Sequence, residues 1–70
     1  MKRREVIKQI SVEANRQGVS WVIDREGRNH TLYRLGSIMI PIPRHREMDD
    51  SFAEKVFKEC EPELGDRWWK

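Results

Sequence analysis

Three short strand-like segments separated by two glycine-containing turns restrict the fold of this chain more than any other feature. Residues 21–25 and 30–35 are rich in β-branched and aromatic side chains, which favour strands, and residues 38–42 form a third such segment. The turns between them contain Gly27 and Gly36. Connections this short join neighbouring antiparallel strands. We therefore predict a three-stranded antiparallel sheet.

The third segment is predicted to be an edge strand. Alternation within residues 38–42 places three isoleucines on one face and Met39 and Pro41 on the other. Because proline has no N–H to donate to a neighbouring strand, this segment either lies at an edge of the sheet or ends at Pro41.

Helical patterns flank the sheet on both sides. Apolar residues at helical spacing, followed by Gly18, predict a first helix over residues 3–17. A capping-box spacing from Ser51 to Glu54 predicts a second helix over 51–61, which Pro62 ends. Its apolar stripe consists of Phe52, Ala53, Val56, Phe57 and Cys60. The fold class is α+β in the order α-β-β-β-α, with both helices on one face of the sheet.

Size and composition predict one small domain spanning residues 1–70, with a thin core. The single cysteine has no internal disulfide partner, and no Cys/His cluster has metal-ligand spacing, so we expect neither a metal nor a cofactor. No apolar run is long enough to cross a bilayer, and the first residues lead into a helical pattern rather than a signal segment. We therefore expect a cytoplasmic protein with no membrane contact.

Charge is distributed unevenly along the chain. Residues 25–46 contain five arginines and one acidic residue, whereas residues 47–66 contain eight acidic residues and two lysines. Arginine forks match the oxygens of phosphate, so the hairpin has the composition of a nucleic-acid contact. A solvated basic face explains the charge equally well.

His30 is the most informative single residue. It follows a Gly-x-Asn turn and begins a strand, which fixes its backbone, and histidine is the side chain that exchanges protons near neutral pH. Arginines 28, 34, 44 and 46 are candidates for holding a phosphate beside it. On the residues alone, His30 is either such a proton-transfer group or a polar residue on an exposed sheet face.

The segment 27–34, Gly-Arg-Asn-His-Thr-Leu-Tyr-Arg, followed by 40–48, Ile-Pro-Ile-Pro-Arg-His-Arg-Glu-Met, resembles the HicA-like mRNA interferase toxins. Members of that family are short, and the likeness covers nearly the whole chain. It implies a double-stranded-RNA-binding-like fold and ribosome-independent cleavage of mRNA without a metal. It also implies a HicB-like antitoxin protein as partner, with a homodimer or a toxin–antitoxin hetero-oligomer as the assembly.

The resemblance also implies roles for individual residues. His30 is the expected general acid or base, and Gly27 and Asn29 are expected to shape its turn. His45 matches a second histidine of the family. Together with the hairpin arginines, the expected RNA-binding residues are Arg28, Arg34, Arg44, His45 and Arg46.

Two alternatives belong to other functional classes. One is a non-catalytic RNA-binding module that grips RNA through shape and phosphate contacts. The other is a small regulatory protein, of phage or bacterial origin, in which the tail at 61–70 engages a partner. Trp68 and Trp69 in that tail are candidates for stacking on bases, for packing back onto the sheet or for anchoring a partner protein. We favour packing or a protein contact, since they follow an acidic stretch that repels RNA. Trp21 and Cys60 are expected to belong to the core.

Overall fold

The computed structural model describes all residues from 1 to 70 and has the predicted order of elements, with one additional short helix. The elements are α1 (Arg3–Gln17), β1 (Trp21–Glu26), β2 (His30–Leu35), β3 (Ile38–Pro43), α2 (Asp50–Glu59) and α3 (Glu61–Leu64).

Helix α1 ends where glycine makes a left-handed turn possible. Gly18 has φ 74°, and its N–H donates to the carbonyls of Ala14 and Asn15. A residue with a Cβ is strained in this conformation, which is why glycine commonly follows the last helical residue. Gly36, in the turn between β2 and β3, also has a positive φ, of 57°.

The sheet is antiparallel with strand order β1-β2-β3, so β3 is an edge strand. Pro41 lies opposite Leu32 in β2 and is exposed. The prediction of an edge strand is therefore confirmed. The pairing of β1 with β2 shifts between Ile23 and Arg25, where β1 contains a bulge.

The core lies between one face of the sheet and the helices. Val6 and Ile10 of α1 are fully buried, as are Leu35 and Ile42 of the sheet, and Val56 of α2 is 2% exposed. Residues alternate along β2: Thr31 is buried, while His30 and Arg34 are exposed on the other face. Helices cover one face of the sheet, and the other face carries no helix.

Helix α2 begins one residue earlier than the capping-box pattern predicts. Its N-cap is Asp49, and Ser51 lies within the first turn instead of capping it. The backbone N–H of Met48 donates to the carbonyl of Met1 at 2.7 Å. This non-local bond fixes the chain just before the helix, and the aspartates that follow are favourable near a helix N-terminus.

The predicted end of the second helix is also wrong. Helix α2 ends at Glu59, and Pro62 lies inside α3 instead of terminating a helix. Proline is tolerated in the first turn of a helix because the N–H that it lacks has no partner there.

The tryptophan tail packs on α2. Trp68 donates from Nε1 to the carbonyl of Phe57 at 2.7 Å, and the Trp68 ring lies edge-on to the Phe57 ring at 5.2 Å. The Trp69 ring stacks on the same phenylalanine, with ring centroids 6.0 Å apart. The tail therefore packs on its own chain, but the expectation that it packs onto the sheet is wrong, because its contacts are with helix α2.

No helix of the structure has the length and apolar character needed to cross a bilayer.

Candidate nucleic-acid interface

His30 lies at the end of the sheet nearest to the loop that connects β3 to α2. It is the first residue of β2 and pairs with Pro43, the last residue of β3. The N–H of Gly27 donates to the His30 carbonyl at 2.8 Å and closes the turn between β1 and β2. The imidazole itself is exposed and makes neither a hydrogen bond nor an ion pair within the chain. Its nitrogens are therefore free to bind a ligand.

The structure brings His30 and His45 together. Both line an open hollow of about 380 Å³ that follows the end of β3, and two carboxylates also line it. The remaining lining is apolar, so the full set is His30, Pro43, His45, Glu47, Met48, Asp49 and Phe52. Two imidazoles on one hollow have the chemistry needed to act as proton acceptor and proton donor toward the same bound group.

Phe52 differs from its expected place in the core. It is 38% exposed and lines the hollow that contains His30 and His45, which we call the histidine hollow. Ala53 and Val56, from the same apolar stripe of the helix, are buried. Glu47, Asp49 and Phe52 were not among the site residues expected from the sequence. One feature of the sequence indicated this region: His45 closely follows the third strand, which pairs with the strand that begins at His30.

Gly27 has little space around it. A Cβ built on Gly27 would lie 3.0 Å from the His30 carbonyl oxygen. A larger residue at this position would therefore push against the backbone that carries the histidine. Asn29, also expected to shape the turn, lies exposed immediately before β2.

Arg44 holds the turn that carries His30. Its guanidinium donates to the backbone carbonyls of Arg28 at 2.8 Å, Gly27 at 2.5 Å and His30 at 3.2 Å. It also pairs with the carboxylate of Glu26 at 2.8 Å. These bonds engage Arg44 with its own chain, so its main contribution to the site is to fix the turn.

Glu26 connects this turn to helix α1. Its carboxylate accepts hydrogen bonds from Arg44 and from the hydroxyl of the buried Thr31, and these bonds hold its pKa below the ordinary value. Arg3 in turn donates to Thr31 Oγ1 at 3.0 Å and to the carbonyl of Pro43 at 2.7 Å. A continuous hydrogen-bonded chain therefore runs from α1 to the turn before His30.

The other predicted arginines lie in three different places. Arg34 is at the opposite end of β2 from His30, where it pairs with Asp24 at 3.7 Å. Arg28 is exposed at the tip of the turn, and its side chain makes no ion pair. Arg46 lines a second hollow together with residues from the start of α1. The structure therefore does not gather all four hairpin arginines around His30.

Two candidate residues belong to the body of the protein. Cys60 is fully buried, and this burial raises the pKa of its thiol to about 12. Trp21 is partly buried and stacks on Tyr33, with ring centroids 4.2 Å apart. Cys60 therefore belongs to the core as expected, whereas Trp21 packs against the core and is not fully buried.

The residues present do not form a metal centre, because no group of three or more His, Cys, Asp or Glu side chains has a geometry that could hold an ion.

Comparison of the chain with protein-family models, with curated proteins and with solved structures found no match.

Proposed function

We propose that this protein is a metal-independent endoribonuclease of the toxin type, in which His30 transfers a proton during cleavage of mRNA. The observation that carries the proposal is the pair of histidines on one open hollow, next to a surface rich in cations. The resemblance of residues 27–34 and 40–48 to the HicA-like toxins supports the same conclusion.

The chemistry requires a base, an acid and stabilisation of charge. In this mechanism, one imidazole takes the proton of a ribose 2′-OH, and the 2′-oxygen attacks the adjacent phosphorus. The other imidazole gives its proton to the leaving 5′-oxygen. The products are a 2′,3′-cyclic phosphate and a 5′-hydroxyl end. Of the predicted arginines, the side chains of Arg28 and Arg46 have no partner in the chain, and their guanidinium groups are proposed to stabilise the phosphorane intermediate.

Direct measurement of RNA cleavage tests the role of His30. The purified His30→Ala protein is compared with wild type on a labelled RNA and in a growth-arrest assay. Removal of a general acid or base is expected to lower the rate by about 10²–10⁴-fold. The matched control is Asn15→Ala, an exposed position on α1, and circular dichroism confirms that each variant is folded.

The outcomes separate the functional classes. Undiminished cleavage by folded His30→Ala removes His30 from the mechanism. RNA binding by wild type without any cleavage favours the non-catalytic RNA-binding module instead. We also propose that a HicB-like antitoxin protein restrains the activity, and co-expression with a candidate antitoxin tests this by rescue of growth.

A further inference from the structure

A second hollow, of about 530 Å³, lies beside the histidine hollow and is strongly basic. We call it the basic hollow. Glu47 lines both hollows, so the two adjoin. The lining of the basic hollow contains no apolar residue and consists of Lys2, Arg3, Arg4, Arg44, Arg46 and Glu47.

Backbone contacts between distant segments assemble the basic hollow. The N–H of Arg3 donates to the carbonyl of Arg46 at 2.8 Å, and Lys2 forms an isolated antiparallel bridge with Glu47. The first turn of α1 is thereby held against the loop after β3. Side chains of the two segments then face the same space.

Three of the five cations have no internal partner. The guanidinium groups of Arg3 and Arg44 are bound to the chain itself, but the side chains of Lys2, Arg4 and Arg46 make no hydrogen bond or ion pair. Like charges held near one another repel, and only one of the twelve acidic residues lines this hollow. The arrangement is favourable when an anion fills the space.

We propose that the basic hollow binds backbone phosphates of single-stranded RNA next to the phosphate held at the histidines. The identity of the anion as RNA rests on the proposed function, whereas the site itself rests on the unpaired cations. Arg4 and Arg46 supply planar forks for phosphate oxygens, and Lys2 supplies a compact point charge.

Binding is measured in the His30→Ala background, so that the probe stays intact. The probe is a fluorescent single-stranded RNA about 12 nucleotides long, and its affinity is measured between about 50 and 200 mM salt. The site variant is Lys2→Gln/Arg46→Gln. The matched control is Lys55→Gln/Lys70→Gln, which removes two exposed, unpaired lysines away from the hollow.

The site variant is expected to bind about tenfold more weakly at low salt. The slope of log affinity against log salt concentration should also become less negative by about 1.4, which corresponds to the loss of two single-strand phosphate contacts. The control should lose less than about threefold and keep the slope. Without RNA, the site variant should unfold at the same temperature as its parent or higher, because like-charge repulsion is relieved.

Equal weakening by both variants, or none by either, overturns the proposal. A poly-glutamate peptide is the competing ligand. If it binds as tightly as RNA and is weakened equally by Lys2→Gln/Arg46→Gln, the RNA proposal is overturned in favour of an acidic protein ligand.

Failure of the site and failure of the proposed function give different results. An unchanged RNA affinity of the site variant, with cleavage still dependent on His30, rejects the site alone. If the site variant binds RNA more weakly but the wild-type protein never cleaves RNA, the proposed nuclease activity is rejected and the site is supported.

Discussion

Replacement of Arg44 by alanine removes the group that ties the turn before His30 to the end of β3. Three hydrogen bonds from one guanidinium to backbone carbonyls are lost, at 2.5–3.2 Å. The Arg44 side chain is 41% exposed, so water competes for each bond. Because of this competition we give each bond about 0.7 kcal/mol, below the range for buried charged donors, so the three bonds together contribute about 2 kcal/mol to the free energy of unfolding.

A loss of this size is large for a chain of 70 residues. It corresponds to a fall of about 10 °C in the unfolding temperature. Urea unfolding followed by tryptophan fluorescence measures the free energy directly. The matched control is Arg28→Ala in the same turn, whose side chain makes no hydrogen bond or ion pair, and it should change stability by less than about 0.5 kcal/mol.

Arg44→Lys separates charge from geometry. An ammonium group keeps the positive charge but cannot reproduce a planar fork with several donors, so this variant should lose more than half of what Arg44→Ala loses. Exchange of the Gly27 amide hydrogen, which is bonded to the His30 carbonyl, should be faster in both variants. If Arg44→Ala is no less stable than Arg28→Ala, the guanidinium does not hold the turn and this reasoning fails.

Three further predictions concern stability. Hydrogen bonds from Arg16 and Gln17 lower the Glu13 pKa from 4.5 to about 2, so the ionised carboxylate stabilises the fold above pH 4.5 and this stabilisation is lost as pH falls toward 2. In Glu13→Gln the free energy of unfolding should depend less on pH between 4.5 and 2. An unaltered pH dependence would contradict this. Because Cys60 is buried and its thiol pKa is raised to about 12, it should resist a thiol reagent in the native state at pH 8 and react only after denaturation. Rapid labelling of the native protein would show that α2 and α3, which Cys60 joins, open and expose the thiol. Trp68→Phe keeps an aromatic ring near Phe57 but removes the pyrrole half of the indole with its N–H donor. Urea unfolding should therefore show a loss of at least about 1 kcal/mol, and a variant as stable as wild type would mean that this bond contributes nothing.

The strands and α1 were predictable because their signals are local. Glycines, periodicity and a proline in the edge strand occur within a few residues of the boundaries that they determine. The start of α2 was predicted incorrectly because it depends on a contact between Met48 and Met1, which are far apart in the sequence. The end of α2 was predicted incorrectly because Pro62 has two meanings, the stop of one helix or the first turn of the next.

The candidate site was predictable in part. The place of His30 at the start of a strand followed from the turn before it, and β3 brings His45 close because its last residue pairs with His30. The carboxylates of Glu47 and Asp49 were not predictable, since the direction of their loop depends on bonds with the first residues of α1.

Counting arginines in a sequence overestimates the cations that are available to a ligand and misplaces them. Of the four arginines expected to hold phosphate, Arg44 binds its own backbone and Arg34 pairs with Asp24 at the far end of the strand. The packing of α1 against the loop after β3 compensates for this loss, because it adds Lys2 and Arg4 to the surface beside Arg46. The proposed phosphate contact in the basic hollow therefore depends on the tertiary arrangement of two distant segments. If the proposed site is real, loosening the contact between these segments should weaken the proposed RNA binding even when every cation is retained.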